Sequence, residues 1–399
     1  MSWCLRTRLS SAAPEDLTLR LGAKGWGATP NVMKNALPLI IVCDWIPPAF
    51  GAVGQYEMAR AEEDAKAGRQ VTIIGLGTEF QTEARSVGEG ELKIIRLAAL
   101  RPDKSSLLNR AIWTASKNLS LLKTVASVAK PYGECEIKVT GSPPFLSYQI
   151  LLWRGLSKKR KITYRVTDFY PETAFAAGKA SALRPFLPLI HALRKRADRI
   201  EALGNCQKRR LIEGGVPEDE IEVVRDASPI AIGRHVQPAR RPFGKNDVVL
   251  LYSGNLGVAH DWKTFAEAYR RHVLEGANRV RLWLNATGVG VASLRAYCET
   301  NGLPVHVTPP VPLSELAGVL VAADAHLVLL GDAFWGYVLP SKIYGCIESG
   351  KPCVYVGPAE SDVHTLLSEG GRHFSVRNGD IRGAEAAFAN LAAIVDRAL

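Results

Sequence analysis

The residues best suited to chemistry fall in two strand-to-helix turns in the second half of the chain. In the first, Tyr252-Ser253-Gly254-Asn255-Leu256-Gly257 closes an apolar run and precedes His260 and Lys263. In the second, Leu339-Pro340-Ser341-Lys342-Ile343-Tyr344-Gly345 follows the apolar run from His326 to Leu330. Glycines let the backbone come close to an anion, and a helix start offers unpaired N–H donors with about half a positive elementary charge. Ser341 is expected to cap a helix that ends near Gly350, and with Lys342 beside it this second turn suits a phosphate. By itself it reads equally well as an ordinary turn with an exposed lysine. Gly288-Val289-Gly290 is weak alone, yet two glycine turns at strand carboxyl ends in one half favour a diphosphate site. No Gly-Lys-Ser/Thr pair and no complete Gly-x-Gly-x-x-Gly fingerprint occurs.

The first half offers a glycine-containing loop, Asp44 to Gly54 with Gly51 and Gly54, and the acid of Asp168-Phe169-Tyr170-Pro171-Glu172. Asp168 can orient a hydroxyl or assist proton transfer, or simply cap a strand end. Glu172 suits the start of the helix that follows. His260 can donate to a phosphate, or sit at a helix start without a ligand.

Positioning these residues takes repeated β–α alternation. Strands are expected at Leu37–Val42, Val71–Gly75, Ile94–Arg96, Glu136–Thr140, Ile162–Val166 and Arg199–Gly204, with helices between them. After a polar, proline-containing stretch from Arg225 to Asn246 the alternation restarts at Val248–Tyr252 and runs to Cys353–Val356. The expected architecture is α/β, two doubly wound Rossmann-like domains facing across a cleft. The expected division is an unstructured extension over 1–36, an amino-terminal domain over 37–228 and a second domain over 229–383. A terminal helix over 384–399 is expected to pack back towards the first domain. Met33, just ahead of the first strand, reads as a natural translation start.

A chain of 399 residues at net charge +11 is large enough for two cores and favours phosphorylated ligands, nucleic acid or an anionic membrane surface. The long helix over Ser105–Ala129, with Trp153 and the basic run Lys158 to Lys161, fits either a membrane-facing patch or domain packing. Nucleic acid ranks low because the basic clusters lack stacking aromatics. No run reaches the ~18 apolar residues of a membrane span. Seven scattered cysteines read as reduced core residues of a cytosolic protein, with no metal-ligand spacing.

Taken in order, Ile46-Pro47-Pro48 with Gly51, Thr140-Gly141-Ser142-Pro143-Pro144, Asp168 to Glu172, Tyr252 to Gly257 with His260, Leu339 to Gly345 with Gly350-Lys351-Pro352, and Gly357-Pro358 resemble the GT-B glycosyltransferases of family 4. The similarity is greatest to the branch that builds bacterial cell-surface polysaccharides and includes fucosamine-type transferases. It spans residues 37 to 395.

The resemblance implies a retaining transferase that uses a nucleotide diphosphate sugar and needs no metal or other cofactor. The acceptor would be lipid-linked or a saccharide. The enzyme would lie in the cytoplasm, with peripheral contact to the cytoplasmic face of the inner membrane. Gly254, Asn255, Leu256, Gly257, Ser341 and Lys342 would hold the diphosphate, with Lys263, Gly288 and Val311 also on the donor side. Gly51 and Gly54 would border the sugar, and Asp168, Lys342 and His260 would serve catalysis. The chain departs from the wider family at Tyr337 and Gly345, where many members carry paired glutamates. It also departs at Asn255 and Asp261, where many carry a cation, for which Lys263 can substitute. Those departures leave open a nucleotide-sugar epimerase of the same fold, or a non-catalytic nucleotide-sugar-binding scaffold subunit.

Overall fold

The computed structural model describes residues 36–49, 51–101, 107–157, 159–369 and 373–398. The expectations for the amino-terminal extension and for Met33 lie outside the described residues, Ala36 apart.

The first domain runs β1 (Leu39–Trp45), α1 (Ala52–Lys66), β2 (Gln70–Gly77), β3 (Gln81–Val87), β4 (Gly90–Ala98), α2 (Leu107–Ala129), β5 (Cys135–Thr140), α3 (Leu146–Arg154), β6 (Arg160–Val166), α4 (Glu172–Ala176), α5 (Leu187–Arg194), β7 (Arg199–Ala202), α6 (Asn205–Glu213) and β8 (Ile221–Val223). Its sheet has the order β3-β4-β2-β1-β5-β6-β7-β8 and is parallel except for the β3–β4 hairpin. Buried apolar runs such as Leu39 to Cys43 suit a sheet covered by helices on both faces. One face packs on α1 through Met58, Ala61 and Ala65. The other packs on α2, α3 and α5 through Leu121, Val125, Ile150, Leu151, Ile190 and Leu193. The β3 strand alternates polar residues on an exposed edge, so no apolar pattern announces it.

The second domain runs β9 (Val248–Asn255), α7 (Lys263–Leu274), β10 (Val280–Thr287), α8 (Val289–Thr300), β11 (Val305–Thr308), α9 (Leu313–Ala322), β12 (Ala325–Leu329), α10 (Lys342–Glu348), β13 (Cys353–Val356), α11 (Asp362–Glu369), β14 (His373–Val376) and α12 (Ile381–Ala398). Its six parallel strands are ordered β11-β10-β9-β12-β13-β14. Contrary to expectation, α12 packs on its own domain. Phe388 meets Phe265 at 5.9 Å and His272 at 5.6 Å, because the Ala-rich face of α12 covers the apolar face of α7.

Strand order reverses between β1 and β5 in one sheet and between β9 and β12 in the other. Ligand crevices open at such switch points, beyond the strand carboxyl ends. Here the two face each other.

The domains are joined directly. Asp168 and Val338 form an antiparallel bridge, and the Phe169 N–H donates to Tyr337 O at 3.4 Å. The carboxylate of Asp362 accepts the N–H groups of Asn205 (2.9 Å) and Cys206 (2.7 Å), so one domain caps the start of a helix in the other. Gly204 permits this approach, since a Cβ there would lie 2.5 Å from Asp362 Cγ. Cys206 therefore sits at the joint and not in a core, whereas Cys43, Cys135, Cys298, Cys346 and Cys353 are buried as expected.

Candidate functional site

A cavity of about 300 Å³ lies between the two switch points, walled by both domains. Lys342, the first residue of α10, reaches into it. Its Nζ is buried, finds no hydrogen-bond partner among the described residues, and lies 3.0 Å from the centroid of the Tyr252 ring. Burial pushes this amine well below the usual lysine value. A π-face attracts an ammonium without neutralising it, so Lys342 has no counter-ion among the described residues and can receive an anion.

His260 stands beside it, its ring edge-on to Tyr252 at 6.2 Å. Nδ1 accepts the Gly257 N–H at 3.1 Å, and burial together with Lys342 lowers the ring to about 3. The imidazole is therefore neutral near pH 7, and its proton rides on Nε2. It can serve as a donor but not as a cation.

Asp168 faces them from the first domain. Burial, with Asp44 behind it, raises its carboxyl to about 6. Asp44, itself raised by burial, accepts Ser142 Oγ–H at 2.8 Å. The floor contains a buried charge lattice in which Arg165 meets Glu57 (3.1 Å), Glu201 (2.9 Å) and Asp226 (2.7 Å). Arg60 also meets Asp226, at 2.7 Å, and Lys138 meets Glu201 at 3.0 Å. Three cations balance three carboxylates, which lets so many charges be buried together.

Several expected residues do line the cavity: Gly254, Asn255, His260, Val311, Ser341, Lys342 and Asp168. Gly254 has φ +116°, a backbone state that favours glycine. Other details differ from expectation. Ser341 makes no side-chain cap bond; α10 begins at Lys342 and ends at Glu348, and the Ser341 carbonyl instead accepts the Tyr56 hydroxyl at 3.2 Å. Leu256 is a core side chain whose N–H donates to Thr287 O at 2.7 Å, and the Gly257 N–H is taken by His260. Neither N–H is free for a phosphate.

Lys263 is exposed outside the cavity at the start of α7, its N–H bonded to Asp261 Oδ1 at 3.0 Å. Gly288 lies behind the wall, where a Cβ would meet Asn255 Oδ1 at 2.3 Å. Gly51 and Gly54 let α1 approach Trp45, with Cβ positions 2.5 Å and 1.9 Å from its carbonyl, while Ala52, Val53 and Tyr56 line the space. Glu172 is held by Arg194 at 2.6 and 2.8 Å in a buried pair away from the cavity lining.

Sequence reading missed Tyr252, Tyr56, Asp44 and the Arg165 lattice. Arg165 had a signal, since it is a lone charge in the strand Ile162-Thr163-Tyr164-Arg165-Val166. Asn285 was also missed. Its amide donates to Thr308 Oγ1 (3.1 Å) and Pro309 O (2.6 Å) and accepts Ser253 Oγ–H (3.2 Å), fixing the wall that carries Val311. Among the described residues, no group of three His, Cys, Asp or Glu is placed to hold a metal ion.

Two parallel-sheet domains facing across such a cleft define the GT-B glycosyltransferase architecture, and solved structures of that class match over nearly the whole chain. Sucrose-phosphate synthase from Thermosynechococcus elongatus superposes with a TM-score of 0.65 at 13% identity, covering 90% of each chain. HepE of Anabaena, solved in complex with UDP, gives 0.57 at 12% identity over 90% of this chain and 95% of its own. WaaG, a glycosyltransferase of lipopolysaccharide biosynthesis, gives 0.56 at 12% identity over 89% and 90%. At these identities the likeness is one of fold. No family model and no curated relative matches.

Proposed function

We propose that the protein is a retaining, metal-independent glycosyltransferase that moves a sugar from a nucleotide diphosphate sugar to a lipid-linked or saccharide acceptor in cell-surface polysaccharide synthesis. The observation that carries this reading is the buried Nζ of Lys342, without a counter-ion among the described residues, beside the neutral N–H donor of His260 and facing Asp168 across the cleft. As the bond between the sugar C1 and the diphosphate oxygen breaks, negative charge grows on that oxygen. The Lys342 ammonium and His260 Nε2–H stabilise it, the role a metal plays elsewhere. The acceptor oxygen forms the new bond to C1, and Asp168 orients a sugar hydroxyl or takes the acceptor's proton. A lipid-linked acceptor would bring the enzyme to the cytoplasmic face of the inner membrane. The similarity to HepE and WaaG supports this reading through the fold they share.

Transfer assays with a panel of UDP-, GDP- and TDP-linked sugars, with and without chelator, test the proposal. Lys342→Ala at full rate, or absolute dependence on a divalent ion, would overturn it. Conversion of donor with no acceptor present would point instead to an epimerase of the same fold.

A further inference from the structure

We propose that the outer face of the α2–α3–α5 layer is a docking surface for an anionic lipid bilayer. This deepens the proposed transfer to a lipid-linked acceptor and rests on it for its purpose, though not for its physical grounds. The three helices cover one face of the first sheet and share a single core with it, so their outward sides form one surface. Its charge is one-sided. Segments 107–133, 146–165 and 178–197 carry four, six and five Lys or Arg and not one Asp or Glu; Arg154, Arg165 and Arg194 among them are buried and paired with acids, and the others supply the charge of this face. They alone exceed the +11 of the whole chain, so the remainder is net acidic.

The same surface is tipped with large apolar side chains. Leu152 and Leu156, at the end of α3, are 57% and 92% exposed, and Phe186 and Leu189, where α5 begins, are 55% and 58% exposed. Ile112 and Leu119 on α2 extend it. Lys159, Arg184 and Lys195 are set among them at the surface. Arg160 lies over the Trp153 ring at 4.7 Å. Apolar tips among cations, with Asp198 and Glu220 the acids beside Leu156 and Lys195 and Asp198 already paired with Arg154, match a bilayer interface, where the tips enter the acyl boundary and the cations meet anionic headgroups. A polyanion such as RNA would satisfy the charges but leave the leucines in water, and no aromatic row for stacking bases accompanies them. No helix among the described residues is long and apolar enough to cross a membrane, so the contact is peripheral.

The test is flotation of the full chain with vesicles of phosphatidylcholine, alone or with about 30% phosphatidylglycerol, at about 0.1 and 0.5 M salt. At least tenfold more protein should float with the anionic vesicles at low salt, with partial release at high salt, as expected of roughly half a dozen surface cations. The variant Leu152→Ser/Leu156→Ser/Phe186→Ser/Leu189→Ser should lose this binding yet melt like the wild type, since all four side chains are exposed. Equal flotation with both vesicle types, undiminished binding by the variant, or binding to single-stranded RNA in place of vesicles would overturn the inference. Nucleotide-sugar turnover on a soluble acceptor is read separately. Turnover without flotation rejects only the docking surface, and flotation without turnover rejects only the transferase.

Discussion

The Nζ of Lys342 lies 3.0 Å from the centroid of the Tyr252 ring, so a buried amine is seated on a π-face where buried cations usually meet a carboxylate. Tyr252 is itself fixed, its hydroxyl donating to Asn255 O at 3.0 Å, which ties the lysine seat to the glycine turn.

A diphosphate entering this site should bring a proton with it. Burial holds Lys342 well below the usual lysine value, whereas an adjacent anion favours the charged form. The other titratable groups near it are the Tyr252 phenol, which burial holds protonated, His260, already neutral, and Cys346 on the same helix. Calorimetry with UDP or GDP in buffers of different ionisation enthalpy should show uptake of up to one proton and tighter binding as pH falls. Lys342→Ala should abolish most of that uptake and weaken binding about 10- to 100-fold, the loss expected of a charged hydrogen bond. Tyr252→Leu should move the pH midpoint of binding to the acid side, and Tyr252→Phe should not. Equal uptake by wild type and Lys342→Ala would remove the basis for this account.

Asp168 should trade stability for function. Its folded value, raised to about 6, lies above the ordinary carboxyl value of about 3.9. The folded protein therefore binds a proton that the unfolded chain releases, and this stabilising contribution is present below about pH 4 and lost as pH rises through 6. Asp168→Asn removes the buried charge. Thermal melts should show the variant more stable at pH 7.5, by about 1–2 kcal/mol after allowance for its partial exposure, with no gain at pH 4. Transfer should fall sharply at every pH. A destabilised Asp168→Asn at pH 7.5 would count against a strained acid.

His260 has the opposite sign. Its folded value of about 3 lies below that of a free imidazole, so its contribution to stability is present above about pH 6.5 and lost as pH falls towards 3. Because the ring does not titrate above pH 5, His260→Ala should lower transfer by about 100-fold without moving the pH–rate profile between 6 and 9. A shifted profile would show that the ring changes charge in that range.

The alternation of apolar runs with helical segments was enough to read two doubly wound domains, because buried parallel strands are written as short apolar blocks. The polar edge strand Gln81–Val87 left no such mark. In the site, Lys342, His260 and Asp168 were legible because their residue types stand in the loops and helix starts that follow strand carboxyl ends. Which N–H groups of the Gly254–Gly257 turn remain free was not, since that depends on tertiary partners, Thr287 O and His260 Nδ1, that lie off the local pattern. The glycines misled in a related way. Gly51, Gly54 and Gly288 looked like ligand contacts and are places where the chain packs closely, on Trp45 for the first two and on Asn255 and Leu256 for the third.

Gly54 makes that distinction measurable. A Cβ there would lie 1.9 Å from Trp45 O, 2.8 Å from Trp45 C and 3.0 Å from Ile46 Cα, all rigid backbone, so alanine must push α1 off the loop after β1. Overpacking of this kind costs about 2–3 kcal/mol. Two residues further on, Tyr56 donates to Ser341 O at 3.2 Å across the cleft, so a displaced α1 also loses a domain-to-domain bond beside Lys342. Tyr56→Phe removes that bond alone and should cost about 1 kcal/mol. Gly54→Ala should therefore lower the urea midpoint more than Tyr56→Phe does, and the double variant should add little to Gly54→Ala, since the shifted helix has already broken the bond. If Gly54→Ala melts like the wild type, or if the two effects add fully, then α1 is not seated by this glycine and the tyrosine contact does not depend on it.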